Sequence, residues 1–163
     1  MHIRQALPED ATAIAAIYAH HVLHGTGTFE EEPPTPAEMR QRLSKVLERG
    51  WPWLVAEQSG VIAGYAYAAQ FRDRPAYRFA GEDSIYVHPD HIGAGIGRAL
   101  LDALMQASGQ AGFQRMFAVI GDSGNLPSIR LHEHAGFEHC GKLDQAGFKF
   151  GRYLDVVFMQ RVI

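Results

Sequence analysis

Apolar positions along this chain follow two rhythms, a spacing near two and a spacing near 3.6, and the switches between them predict its elements. His2 to Leu7 reads as a short strand, and Asp10 to Leu23 as a helix with Ile14, Ile17, Tyr18 and His21 on one face. Gly25 to Pro34 reads as a loop. Thr35-Pro36-Ala37-Glu38 then supplies a helix start, with threonine as N-cap, proline at the first helical position and glutamate two further on. That helix stops at Gly50. Trp53 to Gln58 and Val61 to Gln70 alternate as a hairpin across Ser59-Gly60, and a basic, aromatic connector from Phe71 to Gly81 leads into a strand at Glu82 to Val87. A helix follows Gly95, then a strand at Phe113 to Ile120 and a helix at Asn125 to Ala135 closed by Gly136. Two last strands lie near His139 to Phe148 and Arg152 to Arg161. Strands that alternate with helices and end in a hairpin predict an α/β class with a mixed sheet.

Composition narrows the function more than the fold. At 163 residues the chain is expected to be one domain, residues 1–163, with a core of ordinary size. A formal net charge of −3 gives no reason to expect nucleic acid or an anionic membrane as a partner. Cys140 is the only cysteine, which excludes an intrachain disulfide and a thiolate metal cluster, and it is expected as an apolar filler in its strand. No leader-like segment opens the sequence and no apolar run approaches membrane-spanning length, so the cytoplasm is the expected location. Nine histidines raise the question of a metal. His20 and His24 share a helix face, but no glutamate-containing zinc motif surrounds them, and His132 and His134 point apart on their helix. No metal is expected.

The most informative stretch is Ser84-Ile85-Tyr86-Val87-His88-Pro89-Asp90-His91-Ile92-Gly93-Ala94-Gly95-Ile96-Gly97-Arg98. A β-branched run breaks at proline, enters a glycine-rich turn and opens onto a helix. Free backbone N–H groups and the positive end of a helix dipole then meet at one place, which suits a phosphate or pyrophosphate. A dinucleotide-binding loop is one owner of such a turn, with Asp122 as its ribose-binding acid. Counting from Gly93, however, Arg98 stands where the third glycine belongs, and too little chain follows for a doubly wound sheet.

The second owner is the GNAT superfamily of acetyl-CoA-dependent N-acetyltransferases, which the loop resembles through its Gln/Arg-x-x-Gly-x-Gly/Ala signature. Gly95 and Gly97 match the two glycines; Ile92 departs from the first position. Trp51-Pro52-Trp53-Leu54-Val55-Ala56-Glu57, Ala63-Gly64-Tyr65-Ala66-Tyr67-Ala68, Arg74-Pro75-Ala76-Tyr77, Ala118-Val119-Ile120-Gly121, Ser128-Ile129-Arg130-Leu131-His132-Glu133 and Ala146-Gly147-Phe148-Lys149 resemble the phosphinothricin N-acetyltransferases, whose relatives include methionine sulfoximine and methionine sulfone acetyltransferases. The resemblance runs from about Ile3 to Gln160.

It implies two central parallel strands, here Glu82–Val87 and Phe113–Ile120, that splay into a V-shaped cleft flanked by helices. Pantetheine of acetyl-CoA would pair with the edge at Ile85, Tyr86 and Val87, and a backbone N–H near Tyr86 or Val87 would hold the oxyanion. Pyrophosphate would meet Ile92, Gly93, Ala94, Gly95, Ile96, Gly97 and Arg98, with Asn125 and Ser128 as further cofactor contacts. Glu82 matches the catalytic glutamate, the general base that takes a proton from the acceptor ammonium. His132 stands where many superfamily members carry a tyrosine that reprotonates the CoA thiolate, and histidine serves as acid or base near neutral pH. The acceptor, a small amino-acid analogue, would meet Phe29, Arg72, Arg74, Tyr77 and Tyr86. Trp51, Trp53, Phe71, Tyr77 and Phe79 suggest a closed aromatic pocket and weigh against two rivals, acetylation of a protein N-terminus or of another amine; a non-catalytic acyl-CoA-binding module is expected to lack the base. The resemblance also implies a homodimer, with loops of one protomer shaping the other's acceptor pocket and the apolar C-terminal strands supplying the contact.

Overall fold

The computed structural model describes residues 1–163, and its elements follow the sequence rhythm closely. The strands are β1 (His2–Gln5), β2 (Trp53–Gln58), β3 (Val61–Gln70), β4 (Ala80–Val87), β5 (Arg115–Gly121), β6 (Glu138–Lys149) and β7 (Arg152–Val162). The helices are α1 (Ala11–His24), α2 (Pro36–Glu48), α3 (Ile96–Gln110) and α4 (Leu126–His134). The Thr35 hydroxyl accepts from the Glu38 N–H at 3.2 Å, and the Thr35 N–H donates back to the Glu38 carboxylate at 2.6 Å, closing the expected capping box.

Three boundaries move for identifiable reasons. The Leu7 N–H donates to the Asp10 carboxylate and not to the sheet, and β1 stops at Gln5 short of the expected Leu7. The Phe71 N–H donates to the Ala80 carbonyl, which extends β4 by two residues toward its N-terminus. The Phe113 N–H is held by Ser108 at the end of α3, which delays β5 until Arg115. Cys140 is exposed on β6 and fills no core, because that strand lies at the sheet edge.

One sheet runs in the order β1-β2-β3-β4-β5-β7-β6. Strand alternation sorts its side chains into two cores. Trp53, Val55 and Tyr65 pack with Ile14, Ile17, Met39 and Leu43 of α1 and α2 on one face. Ala56, Ala66, Ala68, Met116 and Met159 pack with Ile96, Leu100, Leu101 and Leu104 of α3 on the other. No helix is long and apolar enough to cross a membrane.

The sheet changes character in the middle. All neighbouring strands are antiparallel except β4 and β5, which pair in parallel only from Ala80 opposite Arg115 to Asp83 opposite Ala118. Beyond Asp83, β4 follows β3 while β5 follows β7, and the two part. This is the V that the resemblance implied and that periodicity alone cannot show.

Candidate active site

The gap between the parted strands is a cleft of about 600 Å³. Ser84 to Val87 form one arm, Ala118 to Ile120 the other, and Glu82, Asp83 and His132 lie at the apex. Gly25 to Thr28 and His21 wall one side; Asn125, Ser128 and Leu131 of α4 and its N-cap wall the other.

Alternation along β4 decides what each residue offers. Tyr86 packs with the α1 and α2 core, whereas Ile85 and Val87 pack with the α3 core. Glu82 therefore belongs to the α1 and α2 face and Asp83 to the opposite one. The backbone alternates too. The His88 N–H donates to Ala63 of β3, so residues 86 and 84 also turn their backbone groups toward β3. Ile85 and Val87 turn theirs to the cleft. Of the two expected oxyanion donors, Val87 faces the cleft, and the Tyr86 N–H is turned to the sheet.

Glu82 sits at the apex with Arg72 3.7 Å from its Oε2. Burial pushes its carboxyl above the usual range; Arg72 opposes that rise and the neighbouring Asp83 charge adds to it. A carboxylate raised in this way is suited to take a proton from an ammonium.

His132 is bound on both ring nitrogens. Its Nδ1 lies 2.7 Å from the Ser128 carbonyl oxygen and its Nε2 2.9 Å from Asp83 Oδ2. Burial alone would disfavour the imidazolium, but Asp83 and the Ser128 carbonyl outweigh it, and the pKa lies above the ordinary histidine value. Sequence reasoning missed Asp83. The signal was present: consecutive strand positions face opposite ways, so a second carboxylate beside Glu82 has to meet something on the other face.

The glycine loop has the geometry of an anion cradle. Gly93 and Gly95 have φ of +83° and +78°. Gly95 caps α3 without a side-chain bond, and the first helical bond runs from the Ala99 N–H to Gly95. The N–H groups of Ile96, Gly97 and Arg98 thus have no helical acceptor. Ile92, an exposed residue, lines the mouth of the cleft, and Gly97 adjoins Val87 and Leu131. Asn125 caps α4 by accepting from the Ser128 N–H at 3.4 Å. Both line the cleft.

The acceptor candidates scatter. Tyr86 lines the cleft within an aromatic group formed with Tyr18, His21 and Tyr65. Arg72 reaches Glu82. Arg74 and Tyr77 lie on the exposed turn around Pro75–Tyr77, outside the cleft lining. Phe29 also lies outside it, packed over Gly121 and Gly147. Of the expected aromatic pocket only Phe71 and Tyr77 meet, edge-on at 5.9 Å, and none of the five residues lines the cleft: Trp53 stacks on Tyr65 and Tyr67 in the core, Trp51 meets Phe113, Phe71 also meets Phe117, and Phe79 is exposed. Asp122, weighed as a ribose-binding acid, instead anchors the Gly25–Thr28 wall by accepting from Thr26 at 2.9 Å and Arg152 at 3.1 Å.

A sheet opened between its parallel strands, with a glycine-capped helix at the mouth and a raised carboxyl at the apex, defines the class as an acyl-CoA N-acyltransferase fold. The chain belongs to the GNAT acetyltransferase family, and its residues 3–158 match the model described as the acetyltransferase (GNAT) domain. It is 51% identical to the phosphinothricin N-acetyltransferase of Alcaligenes faecalis over 98% of this chain and 81% of that one. It is 40% identical to the L-methionine sulfoximine/L-methionine sulfone acetyltransferase of Salmonella typhimurium over 98% of this chain and 93% of that one. A GNAT superfamily phosphinothricin acetyltransferase from Sinorhizobium meliloti, solved in complex with acetyl-CoA, superposes with a TM-score of 0.96 at 46% identity, covering 99% of this chain and 88% of that one.

Proposed function

We propose that residues 1–163 act as one acetyltransferase domain that moves the acetyl group of acetyl-CoA to the α-amine of a small amino-acid analogue such as L-methionine sulfoximine, L-methionine sulfone or phosphinothricin. The observation that carries this reading is the position of Glu82 at the apex of the cleft, on the same face as the Gly25–Thr28 wall and Tyr86. Acetyl-CoA would lie between β4 and β5, its pantetheine against Ile85 and Val87 and its pyrophosphate at the free amides of Ile96 to Arg98.

Glu82 accepts a proton from the acceptor ammonium, directly or through water. The freed nitrogen lone pair forms a bond to the thioester carbon, and the carbonyl oxygen gains charge that the Val87 N–H stabilises. The C–S bond then breaks and its electron pair leaves on sulfur; the second proton shed by the acylated nitrogen passes to that thiolate, directly or through water, giving the N-acetyl product and CoA. Arg72 pairs with a carboxylate here and is placed to meet the acceptor's own carboxylate at the same spot. The names of the relatives, both acting on amino acids with a tetrahedral polar head, support this acceptor class.

A thiol-release assay over a panel of amines tests the reading. Wild type is expected to acetylate the amino-acid analogues and discriminate against methionine, whose thioether lacks the head oxygens. Glu82→Gln should lower kcat by roughly 10²–10⁴. The Glu82 carboxyl is raised, so kcat should climb as pH rises through its pKa, and the loss in Glu82→Gln should shrink at high pH where free amine is abundant. Full activity of Glu82→Gln at neutral pH refutes the role of Glu82. Acetylation of a peptide N-terminus with the whole amino-acid panel inert refutes the substrate class.

We also infer that two chains pair. β6 is an edge strand exposed along most of its length, and Leu143 within it and Phe148, Phe150 and Tyr153 around the β6–β7 turn are all more than half exposed. Pairing supports a second role for Arg74 and Tyr77, which lie outside their own cleft: shaping the acceptor pocket of the partner.

A further inference from the structure

We propose that Asp83 and His132 form a strap that sets the opening of the cleft, with Asp83 a positioning residue acting through a doubly protonated His132. On this proposal His132 serves neither as base nor as acid. The inference builds on the acetyl-CoA reading of the cleft.

Three observations carry it. The contact lies at the apex: Asp83 is the last β4 residue paired with β5, and His132 belongs to α4, which packs on β5. The bond therefore ties one arm of the V to the helix behind the other at the point where they part. Next, the protons are determined by the partners. A carbonyl oxygen cannot donate, so the 2.7 Å contact to Ser128 requires a proton on Nδ1. The 2.9 Å contact to Asp83 then requires a further proton between Nε2 and Oδ2, and the more basic imidazole holds it. Finally, the pair is sealed. The two side chains are 3% and 1% exposed, so bulk water does not compete for the contact between them.

The surroundings leave Asp83 as the charge that governs the ring. Glu82 points to the opposite face of β4, and the register partners of Asp83 across the sheet are Ala118 on β5 and Met159 on β7. The Phe137 ring meets His132 edge-on at 5.0 Å, while Arg98 and Asp102 of α3 pair with each other on the surface. Loss of the Nε2 proton would set a nitrogen lone pair against a carboxylate oxygen, and attraction would turn to repulsion. The folded-state pKa of His132 is raised, so the strap holds below that pKa and fails as pH rises through it.

This makes two substitutions behave differently. Asp83→Asn can turn its amide N–H toward a neutral ring whose Nδ1 still donates to Ser128, so the strap survives without charge. Asp83→Leu removes it at every pH. Calorimetric titration with acetyl-CoA across pH, with no acceptor present, reads the consequence. Wild type is expected to bind more weakly at alkaline pH, Asp83→Asn to lose that dependence, and Asp83→Leu to bind about tenfold more weakly throughout, the worth of one charge-assisted hydrogen bond. Nitrogen-15 NMR of histidine-labelled wild type should show both His132 nitrogens protonated at neutral pH. The NMR result depends on neither turnover nor ligand, so it decides the protonation of His132 even if the chain acetylates nothing or a variant does not fold. An unprotonated Nε2 at neutral pH overturns the proposal. So does an acetyl-CoA affinity that stays flat in wild type through the titration of His132, or one that responds alike to both substitutions.

Discussion

Lys149 offers a test of how the acceptor wall is held. Its side chain is 1% exposed, and its Nζ donates to the Gly25 carbonyl at 2.9 Å and the Thr28 carbonyl at 2.8 Å. Those residues wall the cleft beside Glu82. The same segment is tied by the Tyr18 hydroxyl to Thr28 at 2.8 Å, by Thr26 to Asp122, and by the Phe29 ring over Gly121 and Gly147. Lys149→Met keeps the apolar stem and removes the ammonium. Two hydrogen bonds from a charged donor contribute about 3–6 kcal/mol together. Burial lowers the Lys149 pKa, so part of that gain already offsets the cost of keeping an ammonium from water. A net loss of about 2–3 kcal/mol remains, which for a chain of this size lowers Tm by about 5–10 °C. Thermal melts measure this. Steady-state kinetics then ask where the damage goes: the acceptor KM should rise several-fold, and the acetyl-CoA KM should hold because Ile85, Val87 and the start of α3 lie apart from the clamp. An unchanged melt with both KM values unchanged refutes the clamp. Equal rises in both KM values refute its assignment to the acceptor side.

Gly95→Val should raise the acetyl-CoA KM about tenfold or more with little effect on acceptor affinity. A side chain at Gly95 meets nothing within 4 Å, so the damage comes from its φ of +78°, which a β-branched residue resists and which aims the free amides of α3. An unchanged acetyl-CoA KM in the folded variant removes the cradle. His132 also predicts a slope in stability. Its contribution is complete below the unfolded-state pKa of about 6.5 and is lost as pH rises through the higher folded-state value. Urea melts of wild type should weaken across that window, and those of Asp83→Asn should lack this component. Replacing Phe148 and Tyr153 together with glutamate should convert a particle of twice the 18.0 kDa chain mass into one of that mass by light scattering. Wild type that is already monomeric at assay concentrations refutes the dimer.

The sequence made legible whatever depends on neighbours along the chain. The capping box at Thr35, the hairpin across Ser59-Gly60 and the glycine start of α3 are local chemistry, and they stand within a residue or two of expectation. Partners remote in sequence were not legible. Periodicity marks β4 and β5 as strands but carries no record of where their pairing stops, so the V came from resemblance and only the register located its apex at Asp83. His132 stands alone in the sequence because its partner Asp83 lies 49 residues away. Nothing local marks Phe29 either: its ring covers two glycines, 121 and 147, where a side chain would collide with it.

Glu82 and Asp83 show how close the missing information lay. Two acidic residues in succession look redundant as text, but a strand sends them to opposite faces, one to the acceptor wall and one to a buried imidazole. Each carboxylate acquires its role from what waits on its face. The same reasoning separates Tyr86 from Val87: the tyrosine side chain reaches the aromatic group beside α1, and the valine backbone faces the cleft where a thioester carbonyl would lie. At this apex the proposed division of labour between proton acceptance, oxyanion binding and strapping follows from one alternation of period two, applied to a strand that has lost its neighbour.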